Sequence, residues 1–292
     1  MSALWSLAQA VLNGLLLGAL YALIGMGMAL IFGVMRIVNF AHGAFMMLGM
    51  YATYVLFDRF GINPYFGFPI TAVFLFIVGY LVYLVLLKRI SERSDFMQIL
   101  LTLGISLIIS NGILIGFGAD YHQINIPILD RNVHLGPHIS LNAPWLVSFA
   151  ITVVLAVAMF LFVMRTTTGR ALRAIAQNRY AALLMGINVH RVQALSFGMG
   201  LAAVGIAGSL LLPVFYLYPG VGDQFTLKAF VMVVLGGMGS VEGAAVAGLV
   251  LGIVDTLTSL YWGNDWGLVV DFVIFLLVLS LRPGGLFGSQ RV

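Results

Sequence analysis

The chain has 292 residues, of which 62% are hydrophobic and only 8% are charged. Soluble domains carry about 25% charged residues, so this composition excludes a soluble globular protein and indicates several transmembrane helices of about 20 residues each. Cysteine is absent, which excludes a disulfide framework, a thiol nucleophile and a cysteine-ligated metal. The net charge of +4 is typical of a basic cytoplasmic face rather than of nucleic-acid binding.

Apolar runs follow one another along the whole chain, so the sequence predicts one membrane domain over residues 1–292. The first residues lack a basic n-region, and the first run is too long for a cleaved signal peptide. We therefore expect an uncleaved first span. The runs lie at 8–33, 41–57, 65–87, 97–117, 144–164, 192–217, 226–262 and 266–281.

Basic residues predict the orientation of the chain. Eleven of the fourteen lysines and arginines fall on one side if the N-terminus is outside and the C-terminus is cytoplasmic, as the positive-inside rule requires. This arrangement leaves Arg59, Arg131 and Lys228 on the outer side. It needs an odd number of crossings, so we expect nine crossings or half-crossings, with 226–262 crossing twice; hydropathy alone would give eight. The eleven are Arg36, Lys88, Arg89, Arg93, Arg165, Arg170, Arg173, Arg179, Arg191, Arg282 and Arg291.

The segment 36–51 places a helix-start signal where the chain should be crossing a membrane. Asn39 is a good N-cap residue, and His42 and Gly43 follow it within the first turn of a predicted half-helix. The functional interpretation is a gate or a substrate path. The alternative is a histidine that is hydrogen-bonded to a neighbouring helix.

The segment 235–254 repeats this pattern. Ser240 can cap a helix and Glu242 would favour its first turn, and the glycines around them permit a break. We interpret it as a second broken helix, related to the first by pseudo-symmetry, since paired interrupted segments are typical of transporter cores. The alternative is an ordinary turn between helices. The predicted translocation-path residues are Asn39, His42, Gly43, Gly236, Gly237, Gly239, Ser240 and Glu242.

Two further features concern helix packing and buried charge. Gly14 with Gly18, and Gly248 with Gly252, have the spacing that lets membrane helices approach closely. Asp255 and Asp271 lie in or near apolar runs, where carboxylates are functional candidates by default. They would serve as proton or cation sites, or pair structurally with other groups.

The polar stretch 165–191 predicts two short helices on the cytoplasmic face. A helix over 169–177 would bring Arg170 and Arg173 together, opposite apolar Leu172 and Ile175. A second helix over 179–186 would end at Gly186 in a C-cap arrangement. Such a pair requires a partner, or forms a basic loop that lies on anionic lipid.

Four stretches of the chain, 36–51, 168–188, 234–255 and 281–288, resemble branched-chain amino acid ABC transporter permeases of the LivH type. Residues 180–186, Tyr-Ala-Ala-x-x-x-Gly, are similar to the Glu-Ala-Ala-x-x-x-Gly core by which bacterial importer permeases dock their ATPase. Here Tyr180 replaces the acidic residue, and the downstream Ile-x-Leu-Pro part is missing. The fold so indicated is an all-α polytopic bundle in two pseudo-symmetric halves with broken half-helices.

The resemblance implies an importer complex in a bacterial inner membrane. Its partners would be a LivM-type permease, two ATPase subunits, a periplasmic binding protein that meets the external loop 118–143 with Asp120, Asp130 and Arg131, and membrane lipid. The chain has no phosphate-binding loop, so ATP-Mg would be bound and hydrolysed by the partner subunits, and no cofactor or metal is expected here. The implied ATPase-coupling residues are Gly169, Arg170, Arg173, Asn178, Tyr180, Ala181, Ala182 and Gly186.

Alternatives remain open at this point. Permeases of the same family handle urea, amides or aromatic acids besides leucine, isoleucine and valine. An ion-coupled secondary transporter would depend on Asp255 or Asp271. A membrane-embedded enzyme would need clustered histidines and carboxylates, whereas His122, His134 and His138 are loosely spaced in an outer loop. A structural subunit would show no effect of path mutations on flux.

Overall fold

The computed structural model describes residues 2–90, 93–124, 126, 132–134, 139–282 and 284–287. Asp130, Arg131, His138 and Arg291, which figure in the predictions above, lie outside the described residues, as does the side chain of His134. Two short strands, β1 (Asn132–His134) and β2 (Ser140–Asn142), pair antiparallel in the 118–143 region.

Most of the described chain is helical. The helix that begins at Pro64 continues through a π-helical turn, Tyr83–Leu87, to a last stretch at Lys88–Ile90. A 3-10 turn at Asn264–Trp266 precedes the last helix. Numbered in chain order, the helices are α1 (Ser2–Met35), α2 (His42–Phe60), α3 (Pro64–Val82), α4 (Asp95–Phe117), α5 (Ala143–Arg165), α6 (Thr167–Gln177), α7 (Arg179–Leu184), α8 (Val189–Leu211), α9 (Val221–Gly236), α10 (Val241–Tyr261) and α11 (Gly267–Leu281).

Seven stretches of the described chain are long and apolar enough to cross a membrane. They correspond to α1, α3, α4, α5, α8, α10 and α11, while α2 and α9 are not among them. The exposed large hydrophobic side chains concentrate on the outer faces of α3, α4, α5 and α11, where a soluble protein would be polar. The prediction of an all-helical, multi-pass membrane protein is confirmed.

The helix α1 forms the centre of the bundle and packs most extensively against α10. The two helices are antiparallel, and glycines allow their backbones to touch. A Cβ added at Gly18 would lie 2.8 Å from the Cα atom of Leu249, and one added at Gly252 would overlap the backbone of Gly18. The prediction that these glycine pairs allow close helix packing is confirmed, and the structure shows that the two pairs pack against each other.

The helix α8 packs antiparallel to both α1 and α3. The Ser196 hydroxyl donates to the carbonyl of Leu30 at 2.9 Å, which ties α8 to α1. A buried hydroxyl cluster joins α2, α3 and α8, because Thr53 Oγ1 lies 2.9 Å from Thr71 Oγ1 and 2.7 Å from Ser209 Oγ. These bonds fix the three helices in one register.

The helix directions place most of the described basic side chains at one end of the bundle, which we call the basic end. There α1, α3, α5, α9 and α11 finish, and α4, α8 and α10 begin. Arg59, at the last turn of α2, lies at the opposite end. The side chains at the basic end are Arg36, Lys88, Arg89, Arg93, Arg165, Arg170, Arg173, Arg179, Arg191 and Arg282.

We expect Gly252→Ala to destabilise the bundle, because its new methyl group overlaps the α1 backbone and overpacking costs about 1–3 kcal/mol. The matched control is Gly112→Ala on α4, where an added Cβ meets nothing within 4 Å. The midpoint of thermal unfolding in detergent should fall for the first variant and stay level for the second. Equal midpoints would contradict the close helix contact.

Candidate functional site

The helix α2 begins inside the bundle rather than at its surface. After α1 ends at Met35, the chain reverses at Arg36, whose backbone has a φ of 55°. It then runs back along α1 until α2 starts at His42. The His42 Nε2 donates to the carbonyl of Ile24 at 3.1 Å, eleven residues before the end of α1, which is about 16 Å along a helix.

Asn39 shapes the turn that precedes α2, although not as the predicted N-cap. Ala41 holds the N-cap position. The Asn39 Oδ1 accepts from the backbone N–H of Ala41 at 3.1 Å, and the Asn39 carbonyl accepts from the N–H of His42. Both Asn39 and His42 are buried, and Asn39 Nδ2 and His42 Nδ1 have no hydrogen-bond partner among the described residues.

A second helix, α9, also begins inside the bundle and meets the start of α2. The chain leaves α8 at Leu211 and turns back through 212–220. The N–H of Gly43 donates to Thr226 Oγ1 at 3.0 Å, and a Cβ added at Gly222 would lie 2.6 Å from the Gly43 carbonyl oxygen. Helix N-termini carry partial positive charge, so two positive ends converge here.

A helix does start at Ser240, as predicted, but it starts at the basic end and is not a second break inside the bundle. Gly237 and Gly239, both with positive φ, form the turn between α9 and α10 at the basic end. Ser240 caps α10 by accepting from Gly243 N at 3.0 Å, and Glu242 is exposed in its first turn. This is the interhelical turn that was the alternative. The path residues at 236–242 therefore do not join Asn39, His42 and Gly43.

The basic end carries the two predicted short helices, of which α6 is amphipathic. Leu172 and Ile175 are buried, as predicted. Gly169 is buried against the end of α5. A side chain does not fit there, because a Cβ would overlap the carbonyl oxygens of that helix end. Arg170 is exposed, whereas Arg173 donates to the Met164 carbonyl at 3.0 Å. The two arginines lie three residues apart on α6, and the C-terminus of α5 attracts the second one.

The helix α7 presents an apolar surface. Asn178 caps it by accepting from Ala181 N at 3.0 Å. Gly186, with a φ of 79°, ends it in a Schellman arrangement, because Gly186 N donates to the Leu183 carbonyl and Ile187 N to the Ala182 carbonyl.

Ala182 points into the bundle and is buried, while its neighbours are not. Tyr180, Leu184 and Met185 are 71%, 72% and 82% exposed. The sequence prediction missed Leu183, Leu184 and Met185, although an uninterrupted apolar run at 181–185 beside the exposed position of Tyr180 was a usable signal. We call Tyr180, Leu183, Leu184 and Met185 the α7 patch.

Lys228 is not on the outer side, where the charge pattern had placed it. It is buried, and its Nζ donates to Asp255 Oδ2 and Asp271 Oδ2 at 2.6 Å each. The Tyr21 hydroxyl donates to the same Asp255 oxygen at 2.8 Å. The structure thus shows the two aspartates paired, in a cluster that joins α1, α9, α10 and α11. A cavity of ≈ 550 Å³ borders it.

The chain matches the family described as "Branched-chain amino acid transport system / permease component" over residues 10–279. It belongs to that family. Members of this family are components of a transport system rather than catalytic enzymes. The matched residues, 10–279, include the two interior helix starts and the α7 patch.

Individual relatives give the same result. The LivH permease protein of the high-affinity branched-chain amino acid transport system of Escherichia coli K12 is 31% identical, over 97% of this chain and 96% of its own. BraD of Pseudomonas aeruginosa is 29% identical over the same shares. The E. coli LivM permease protein is 24% identical over 93% of this chain and 68% of its own. No solved structure matches the permease significantly.

The contact between the two helix starts predicts a measurable cost for Thr226→Val. This variant keeps the side-chain volume but leaves the buried N–H of Gly43 without an acceptor, which costs about 1–3 kcal/mol. We expect a lower unfolding midpoint in detergent. The matched control is Thr152→Val, since Thr152 Oγ1 is buried without a partner among the described residues. The contact is refuted if the two variants unfold together.

Proposed function

We propose that this chain is the membrane-spanning subunit of an ATP-driven importer that carries branched-chain amino acids into a bacterial cell. The match of almost the whole chain to permease components of such systems carries this proposal. The chemistry of ATP belongs to separate ATPase subunits, because the chain lacks a phosphate-binding loop. The cellular location would be the inner membrane.

The orientation follows from the basic end. If that end faces the cytoplasm, the N-terminus is outside, the C-terminus is inside, and α1 to α5 and α8 to α11 make nine crossings or part-crossings. In this arrangement α2 and α9 count as broken helices that start near the middle of the membrane. The external loop 118–143 with Asp120 then faces the periplasm, where a substrate-binding protein would dock.

Each half of the chain contains a long helix, a break and a returning helix, and the two units run in opposite directions. The unit α1–break–α2 runs inward and returns, while α8–break–α9 runs outward and returns. Such inverted units, with interrupted helices meeting at the membrane middle, are typical of transporters that alternate access. Broken backbone is tolerated at that depth only when it is buried in protein or lines a wet path.

Coupling to the ATPases would use the basic end. The α7 patch is apolar and exposed, as expected of a surface that binds another protein. Behind it, α6 packs against α1, α5 and α8. A cavity of ≈ 390 Å³ separates Arg36 from Arg179 and Tyr180. Movement of α6 and α7 would therefore act on the point where the chain turns back toward α2.

The substrate path would pass the two interior helix starts, along an interface with a LivM-type partner permease. Asn39, His42 and Gly43 lie there, and the positive helix ends would favour the carboxylate of an amino acid. The turn at Gly236, Gly237, Gly239, Ser240 and Glu242 would form the cytoplasmic end of the route.

A reconstitution experiment tests the function. The tagged chain is purified in mild detergent from native membranes, its partners are identified, and the complex is placed in vesicles with internal ATP and external binding protein. We expect a second permease, a P-loop ATPase and ATP-dependent leucine uptake. Uptake of urea, amides or aromatic acids instead would change the substrate. Ion-driven uptake by the chain alone would overturn the proposal in favour of secondary transport.

The docking role of the α7 patch predicts that Leu184→Asp releases the ATPase. A charge in an apolar interface without a partner costs about 2 kcal/mol or more, so co-purification should fall about tenfold or more. Thr167→Asp is the control, because Thr167 is exposed on α6 outside the patch. An unchanged ATPase yield for Leu184→Asp would argue against docking here.

Gly186→Val tests coupling separately from docking. A β-branched residue at positive φ strains the backbone by about 1–3 kcal/mol and should displace the end of α7. We expect ATP hydrolysis to continue while uptake is lost. Gly61→Val is the matched control, since Gly61 has a φ of 65° with nothing within 4 Å of an added Cβ, at the opposite end. If Gly186→Val still couples ATP hydrolysis to uptake normally, the coupling role of Gly186 is wrong.

A further inference from the structure

The cluster of Tyr21, Lys228, Asp255 and Asp271 holds more negative than positive charge. Lys228 supplies one positive charge, and the two carboxylates supply two negative charges when both are ionised. Tyr21 contributes a neutral hydroxyl donor, and the Lys228 Nζ lies over the Tyr21 ring, 5.2 Å from its centroid. Among the described residues no second cation reaches the cluster.

An uncompensated charge at this depth is costly. Asp271 is 1% exposed and Lys228 is 6% exposed. Their surroundings are the helices α1, α9, α10 and α11, and a cavity borders the cluster on the side of Asp255. Desolvation of an unpaired ion in such a setting normally forces the group to neutralise instead. The interior therefore favours a state of the cluster whose net charge is zero.

The unpaired oxygen atoms show where the missing positive charge belongs. Both Oδ2 atoms accept from Lys228, whereas Asp255 Oδ1 and Asp271 Oδ1 are buried and have no hydrogen-bond partner among the described residues. The two carboxyl groups are close neighbours, because both Oδ2 atoms lie 2.6 Å from the same Lys228 Nζ. Two carboxylates cannot hydrogen-bond unless one of them carries a proton.

We propose that Asp255 and Asp271 form a proton-binding site that holds one shared proton. A proton from water adds to one carboxylate as an O–H bond, and that O–H donates to the facing oxygen of the other. The net charge of the cluster changes from minus one to zero, and both unpaired oxygens are satisfied at once. This site goes beyond the proposed transport function and does not depend on it.

Protons can reach the site through the adjoining cavity of ≈ 550 Å³, whose lining includes Tyr21, Lys228 and Asp255. Gln224, Ser259 and Asn264 supply further polar groups there, and Asp265 at its exposed margin is the other titratable side chain that faces it. Proton loss at high pH would restore the uncompensated charge. The cluster should therefore hold its four helices together better at low pH than at high pH.

Infrared spectroscopy of the purified permease, with whatever subunits accompany it, tests the proposal directly. We expect a protonated-carboxyl C=O stretching band at neutral pH that shifts in D2O and disappears in Asp271→Asn. Asp58→Asn should leave the band unchanged, since Asp58 is exposed on α2. A wild-type spectrum without such a band would overturn the shared proton, even if no cluster variant can be purified.

Thermal inactivation supplies the second measurement. Asn resembles a protonated aspartate, so Asp271→Asn should keep an unfolding half-life within about twofold of wild type and lose its decline toward high pH. Lys228→Met leaves two carboxylates without a cation and should shorten the half-life about tenfold or more. A wild-type half-life that depends on Na⁺ or K⁺, and not on pH, would show a metal cation in place of the proton.

Discussion

A chain that turns back inside an apolar bundle must supply a hydrogen-bond acceptor for every backbone N–H that it leaves open there. Water is not available to do so, and the first four N–H groups of any helix lack partners within the helix. The helices α2 and α9 both start in this position. The helix α9 supplies an acceptor for the start of α2, because Thr226 accepts from the N–H of Gly43. At the start of α9, the N–H groups of Val221 and Asp223 donate within their own segment, to the carbonyls of Tyr218 and Gly220.

This contact between the two helix starts sets the packing around it. Gly43 and Gly222 must lack side chains, since either Cβ would run into the backbone of the facing helix. The same requirement recurs between α1 and α10 and gives the bundle a core of touching backbones. Directional contacts then define the register, through the hydroxyls of Thr53, Thr71 and Ser209 on one side and the Lys228 cluster on the other.

Features that depend on a single segment could be predicted from the sequence. The cap at Ser240, the Schellman glycine at Gly186 and the buried face of α6 follow from local chemistry, and the structure confirms them. The start of α9 could not be predicted, because Gly220 at its N-cap makes no side-chain hydrogen bond and the acceptor at Thr226 serves another helix. The burial of Lys228 was missed for a related reason, since sequence does not reveal which helices are neighbours.

The two interior helix starts and the basic end are linked through α1. The helix α6 contacts α1 near its end, and only the segment 36–41 separates that end from α2. The helix α1 is also bound to α10, by the hydrogen bond from Tyr21 to Asp255 and by the glycine contacts. In the proposed importer, a displacement of that end would pass to α2 through the segment 36–41. That geometry directs the proposed ATPase stroke toward Asn39, His42 and Gly43.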